Sequence, residues 1–294
     1  MQKIDFDFAV IGGDARQVYL ASKLSKQGFR VCAYALCSEQ KQPNVLTASS
    51  LEDAVAHSET ILAPVPISKD RQNISQQAKA CDLSMSHLLN ALLKNQRLFA
   101  GCIPADFQAA AAAKGVLTYD LMKAGELAVF NTIATAEGAL AEAICKSSQN
   151  LHHSCCMVLG FGRCARTLTG SLKGLGAQVT VCARNAAARA EAELNADNAI
   201  PFSQLGDCLP EYDFLFNTVP ALVLTKENLS KLKPGTLIID IASSPGGVDY
   251  AAARELGVSA WLCPGLPGKY SPESSANAIA DTVLSQIRSF EGNA

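Results

Sequence analysis

The chain has 294 residues, 49% of them hydrophobic and 18% charged, enough apolar material for the cores of two α/β domains and too much for a disordered chain. Its formal net charge of −2 comes without a basic block, so no nucleic-acid surface is expected, and no apolar run approaches the roughly 20 residues needed to span a bilayer. Met1-Gln2-Lys3-Ile4-Asp5 lacks the pattern of a signal peptide, and the expected location is cytoplasmic, with no membrane partner.

In chain order, Phe6 to Ile11 reads as a strand that runs into Gly12-Gly13-Asp14-Ala15-Arg16, a helix to Gln27-Gly28 and a second strand from Arg30 to Tyr34. This is a βαβ opening, yet Asp14 and Arg16 stand where phosphate-cradling glycines would be needed. Asp14 would repel phosphate and Arg16 would attract a carboxylate, so the first half reads as a substrate domain. The structural alternative is Asp14 as helix N-cap with a solvent-facing Arg16. Glu59 to Pro66 follows as a short strand broken by prolines, then a polar loop from Ser68 to Asp82. A helix over Ser86 to Lys94, a strand over Arg97 to Ala100, an Ala-rich helix over Pro104 to Lys114 and a strand over Val116 to Tyr119 complete this half. From Glu126 to about Lys146 the spacing is helical. Asn131 and Thr135 share one face of that helix and Glu137 lies close by, which makes them candidates to line a cleft between domains, with capping and a solvated face as the alternative.

The strongest motif comes next. Met157-Val158-Leu159 meets Gly160-Phe161-Gly162-Arg163-Cys164-Ala165 and a helical pattern ending at Gly174 to Gly176, with a second strand at Gln178 to Ala183. A strand must stop abruptly here so that the N–H groups of the helix start can face a pyrophosphate. Gly160 permits the turn, Gly162 lets phosphate approach the backbone, and small Ala165 lets helix and strand pack. An NAD-specific site places an acidic residue at the end of the second strand; this chain has Ala183, Arg184 and Asn185, which favours NADP over NAD, with NAD still possible. The alternative role for Arg184 is stacking on the adenine. Three later strands, Tyr212 to Asn217, Thr236 to Ala242 and Ser259 to Cys263, end in the turns Asn217-Thr218-Val219-Pro220, Ala242-Ser243-Ser244-Pro245-Gly246-Gly247 and Pro264-Gly265-Leu266-Pro267-Gly268-Lys269. If the sheet is parallel, these turns share the edge where a nicotinamide ring would lie. A final helix from Ser274 to about Phe290 is expected to pack back on the first domain.

None of the eleven cysteines forms a C-x-x-C pair, and they read as small buried hydrophobes in a reducing compartment. In His152-His153-Ser154-Cys155-Cys156 adjacent side chains of an extended segment point to opposite faces, so no metal site is expected.

With these residues in view, the chain resembles the family of dipicolinate synthase A subunits. The resemblance rests on Ala9-Val10-Ile11-Gly12-Gly13-Asp14-Ala15-Arg16-Gln17, Asn131 to Gly138, Val158 to Arg163, Asn217 to Pro220, Ala242 to Gly247 and Pro264 to Gly268. It implies an NAD(P)-dependent oxidoreductase that oxidises dihydrodipicolinate, or its hydrated precursor, to dipicolinate in the mother cell of a sporulating bacterium, together with a flavoprotein-like B subunit. It also implies a wider likeness to alanine and 2-hydroxyacid dehydrogenases. The four histidines, His57, His87, His152 and His153, lie outside the cofactor-domain turns where a hydroxyacid dehydrogenase places its acid/base.

The combined reading is an α/β chain of two Rossmann-like, doubly wound parallel-sheet domains with a cleft between them. Residues 1–130 form the substrate domain, 131–150 an inter-domain helix, 151–272 the NAD(P)-binding domain and 273–294 a C-terminal helix. A dianionic cyclic imino-dicarboxylate would meet Arg16, with Asn131, Thr135 and Ser243 as hydrogen-bonding partners and Glu137 or Asp14 as proton acceptor, although either carboxylate could instead be a structural partner of Arg16. The cofactor set is Gly160, Phe161, Gly162, Arg163, Cys164, Ala183, Arg184, Asn185, Asn217, Thr218, Val219, Pro220, Ala242, Leu266 and Pro267, and a homo-oligomer is expected besides the pairing with a B subunit. Two rivals stand beside it: a dehydrogenase of the alanine or 2-hydroxyacid type acting alone, and a non-catalytic nucleotide-binding subunit.

Overall fold

The computed structural model describes residues 5–37 and 44–292. The leader reading of Met1 to Ile4 and the last two residues of the C-terminal segment lie outside the described residues. The chain forms two compact units, Met1–Phe130 with Ser271–Ala294, and Asn131–Tyr270.

In the first unit, β1 (Phe6–Ile11), α1 (Ala15–Lys26), β2 (Val31–Tyr34), β3 (Val45–Thr47), α2 (Leu51–Ala56), β4 (Ser58–Leu62), α3 (Met85–Ala91), β5 (Arg97–Ala100), α4 (Ala105–Ala113) and β6 (Leu117–Asp120) alternate along the chain. The six strands form one parallel sheet in the order β3-β2-β1-β4-β5-β6. Because strand side chains alternate between faces, β1 feeds two cores. Phe8 and Val10 pack with Leu20, Ala21 and Leu24 of α1, while Ala9 and Ile11 pack with Leu51, Ala54 and Val55 of α2. A fully buried large apolar side chain contributes about 1.5–3 kcal/mol, so this alternation is what holds α1 and α2 on opposite faces.

The second unit begins within α5 (Gly125–Lys146) and continues through β7 (Cys155–Leu159), α6 (Arg163–Gly174), β8 (Gln178–Cys182), α7 (Ala186–Ala192), β9 (Asn198–Ile200), α8 (Leu205–Cys208), β10 (Phe214–Asn217), α9 (Lys226–Ser230), β11 (Leu237–Asp240), α10 (Tyr250–Glu255), β12 (Ser259–Leu262) and α11 (Leu266–Tyr270). Its sheet is also parallel, in the order β12-β11-β10-β7-β8-β9. Cys156 and Val158 of β7 face Leu168 and Leu172 of α6, and Met157 and Leu159 face Leu205, Leu209 and Leu229. The last helix, α12 (Pro272–Gly292), returns to the first unit, where Ala276, Ile279, Ala280 and Val283 join the core of α1, and Lys23 pairs with Asp281 at 2.9 Å. The α/β class with two doubly wound sheets is thus present in both halves.

Several details depart from the sequence reading. The 22-residue α5 is long and apolar enough to cross a bilayer by length and composition, so the expectation that no run approaches that length is corrected. Part of its apolar surface is buried in protein, Leu127 and Ala128 in the first unit and Ala136, Ala139 and Ala143 in the second, while Val129, Phe130, Ile133 and Ile144 are exposed. Gly138 is required there, because a Cβ would lie 2.7 Å from the Leu266 Cβ. The segment read as a polar loop from Ser68 to Asp82 buries Ile74 and bridges back to the turn after β1 at Gly13. Strand β3 and helix α2 are three and six residues long, too short to show a period in the sequence. Only Cys32, Cys156, Cys182 and Cys263 are buried; Cys81, Cys102 and Cys145 are exposed, which corrects the uniform picture of buried thiols. Burial pushes Cys156 and Cys182 up to about 12, so those two are inert.

Candidate dinucleotide site and its counterpart in the first unit

A helix start leaves its first N–H groups without partners, and the two units satisfy this need differently. In the second unit, Gly160 takes φ +94° at the end of β7, and a Cβ there would sit 2.5 Å from Thr218 Oγ1. Both the dihedral and the close approach therefore demand glycine. Gly162 is the N-cap of α6, no side chain caps the helix, and a Cβ on Gly162 would meet nothing within 4 Å. Among the described residues nothing hydrogen-bonds the N–H groups of Gly162, Arg163 or Cys164. Small Ala165 is buried against the sheet, and Phe161 is buried beneath Arg166, whose Cζ lies 5.4 Å from the ring centroid. Open space beside a glycine-led, 12-residue helix with unbonded N–H groups fits the pyrophosphate of a dinucleotide.

The same turn in the first unit is closed. Asp14 is the N-cap of α1 and accepts from the Arg16 N–H at 3.1 Å, while Gly13 N–H donates to Ser75 O at 2.7 Å. A Cβ on Gly13 would lie 2.3 Å from Gln17 Cγ. The Arg16 guanidinium donates Nε and Nη2 to the Asp14 carboxylate at 2.9 and 2.8 Å, and Nη2 also donates to Val65 O. Arg16 is 8% exposed, so it is not solvent-facing, and Asp14 and Arg16 are structural partners of one another. Burial alone would raise the Asp14 carboxyl, but the hydrogen bonds and charge of Arg16, with the charge of Lys69, hold it below its ordinary value. A carboxylate so held is a poor proton acceptor.

The edge beyond β10 and β11 is organised by a residue absent from the sequence-derived site. Asp240, fully buried at the end of β11, accepts from Asn217 Nδ2 (2.8 Å), Ala242 N–H (3.0 Å), Gly247 N–H (2.7 Å) and Tyr250 OH (2.9 Å). One carboxylate thus joins the turns after β10 and β11. Burial and the bond to Asp240 push the Tyr250 phenol up, which keeps it a donor. The signal in the sequence is an acidic residue ending an apolar strand shortly before Ser243-Ser244-Pro245-Gly246-Gly247.

Several proposed ligand residues spend their side chains internally. Asn217 is fully buried on Asp240 and Val219, the Thr218 hydroxyl donates to Leu159 O at 2.8 Å, and Asn185 caps α7 by accepting from Ala187 N–H at 2.8 Å. Leu266 and Pro267 are buried, Leu266 within the core against α5. Ala183 and Ala242 are buried walls, Val219 is half-buried, and Pro220 and Ser243 are exposed. Cys164 is half-buried with its thiol pushed up by burial, whereas Arg163 and Arg184 are exposed. On α5, Asn131 is half-buried and accepts at its carbonyl from the Thr135 hydroxyl at 2.8 Å, and Glu137 is exposed. Among the described residues no cluster of three His, Cys, Asp or Glu could hold a metal.

Comparison with known proteins matches this division of labour. Residues 7–122 match the N-terminal domain of the dipicolinate synthase A subunit. Over 97% of both chains the sequence is 31% identical to the dipicolinate synthase A subunit of Bacillus subtilis (strain 168). The chain belongs to the family of dipicolinate synthase A subunits. Residues 128–250 match the NAD binding domain of D-isomer specific 2-hydroxyacid dehydrogenases, so this family member is a dehydrogenase-type protein that binds a nicotinamide dinucleotide. The crystal structure of the dipicolinate synthase A chain from Bacillus subtilis superposes with a TM-score of 0.82 at 27% identity, covering 98% of this chain and 97% of that one. The dipicolinate synthase A subunit of Bacillus halodurans gives 0.83 at 27% identity over 97% and 98%. A transhydrogenase from Sinorhizobium meliloti shares the fold alone, with a TM-score of 0.67 at 18% identity over 96% and 94%.

Two outcomes are expected. Gly162→Val folds, because the space beside Gly162 is open, but it weakens dinucleotide binding by at least about tenfold in calorimetry, since the side chain enters the path of the phosphates. Arg16→Met lowers unfolding free energy in urea by about 2–3 kcal/mol at neutral pH, because it strands the Asp14 carboxylate. The lowered Asp14 value makes the pair's contribution complete above the ordinary aspartate range and lost as pH falls through the depressed value, so wild type and variant converge in acid.

Proposed function

We propose that this chain oxidises dihydrodipicolinate, or its hydrated precursor, to dipicolinate with NADP+, in the cytoplasm of a sporulating mother cell and together with a flavoprotein-like B subunit. The observation that carries the reading is the uncapped, glycine-led start of α6 in a chain of this family. The bound nicotinamide supplies the hydride acceptor. Gly160, Gly162 and the first N–H groups of α6 hold the pyrophosphate, and exposed Arg184, whose guanidinium has no partner among the described residues, takes the ribose 2′-phosphate. Asp240 fixes the turns at Asn217 to Pro220 and Ala242 to Gly247, keeping that edge in one arrangement.

Loss of a hydride and a proton from the dihydro ring gives the aromatic pyridine, and aromatisation favours the hydride's departure. The dianionic substrate requires a cation. Arg16, the cation offered by the sequence, is buried and already paired with Asp14, which leaves it little to offer a substrate carboxylate. Glu137, exposed on α5 and with no side-chain partner among the described residues, is the proton acceptor we propose.

The test follows NADPH absorbance and dipicolinate together, with freshly made precursor, for the chain alone and with candidate B subunits. Equal formation of both products when the partner is added supports the reading. Full turnover alone on alanine or a 2-hydroxyacid, or nucleotide binding without turnover in any pairing, would replace it. For the cofactor, wild type is expected to bind NADP+ more tightly than NAD+, and Arg184→Asp to reverse the preference with a loss of about tenfold or more in NADP+ affinity.

A further inference from the structure

The backbone that presents Arg184 is held by a second arginine. Beyond β8, the buried Ala183 N–H donates to Ile200 O at 3.0 Å, which ends the sheet pairing. The next two carbonyls have no sheet or helix donor. Arg189, on α7, turns its Nη1 back to both of them, at 2.9 Å from Ala183 O and 2.8 Å from Arg184 O. Asn185 closes the same turn as the α7 N-cap. α7 is in turn tied to α6 through Glu191 and Arg166 at 2.7 Å, and Arg166 covers Phe161 of the glycine turn. A continuous run of contacts therefore joins the α6 start to the residue at the end of β8.

We propose that Arg189 is a positioning residue for cofactor selection: by clamping the Ala183 and Arg184 carbonyls it fixes the backbone from which Arg184 reaches the 2′-phosphate. This rests on the role given to Arg184 above. The observed bonds of Arg189 run from Nη1 to the two carbonyls, and the route assigned to NADP+ runs through Arg184. A turn without this clamp would let the Arg184 stem sample other directions, and a phosphate contact depends on direction as well as charge.

The test measures Kd for NADP+ and for NAD+ by calorimetry in wild type, Arg184→Met, Arg189→Met, the double variant and Arg189→Lys, with circular dichroism as folding control. Arg189→Met is expected to weaken NADP+ by about tenfold and NAD+ by less than about twofold, and the double variant to lose no more than Arg184→Met alone. Arg189→Lys, which keeps a donor on a similar stem, is expected to recover most of the NADP+ preference. Equal losses for both nucleotides would make Arg189 a fold residue only, and additive losses in the double variant would mean a direct or long-range charge effect; either overturns the proposal, as does a folded Arg189→Lys no better than Arg189→Met. If Arg184→Met leaves the ratio unmoved, the cofactor reading falls and this inference with it. If Arg184→Met moves the ratio and Arg189→Met does not, the inference alone falls.

Discussion

A helix that starts at the carboxyl end of a parallel strand presents N–H groups that must find acceptors, and this molecule answers that demand in two ways. In the first unit Asp14 supplies the acceptor from within, and Arg16 neutralises it. In the second unit Gly162 supplies none, and the demand is left to an anion from outside. The same β-turn-α unit is therefore a sealed support in one half and a binding site in the other. The difference rests on Asp14, whose side chain caps α1, and on Gly162, which has no side chain to offer, and the capping carboxylate is braced by Arg16.

The second unit adds a buried charge. Asp240 at the end of β11 has no cation beside it in its hydrogen-bond set, and four donors from the turns after β10 and β11 and from α10 satisfy it instead. Burying a carboxylate is tolerable when its lone pairs are occupied, and the donors gain a fixed partner in return. Gly246 and Gly247 are forced by this arrangement, since a Cβ would lie 2.4 Å from Asp240 Oδ2 at the first and 2.5 Å from Asn217 Nδ2 at the second. The glycine pair that looks like an ordinary turn in the sequence is thus a consequence of the carboxylate.

Charge placement separates the two units further. Around the end of β8 the arginines are graded by commitment: Arg166 pairs with Glu191, Arg189 holds backbone carbonyls, and the Arg184 guanidinium has no partner among the described residues. Such a gradation places a free guanidinium beside anchored ones and limits the freedom of the turn that carries it. In the first unit the opposite holds at the helix start, where the arginine is committed and buried.

Much of this was legible from residue order. The run Met157-Val158-Leu159-Gly160-Phe161-Gly162, followed by a helical period and a second strand, determines a dinucleotide turn because glycine's freedom and strand alternation are local properties of the chain. The alternation of strands and helices likewise determines two doubly wound sheets. What only the tertiary structure decided is who meets whom. That Arg16 is consumed by Asp14 and Val65, that Asn217 turns inward to Asp240, that Leu266 fills the space over Gly138, and that Arg189 bends back to two carbonyls all depend on residues brought together across the sheet edge or between helices. A polar residue at a strand end has the same appearance in sequence whether it faces a ligand or a buried partner, because its donors and acceptors are satisfied by whichever groups the fold sets within hydrogen-bond reach.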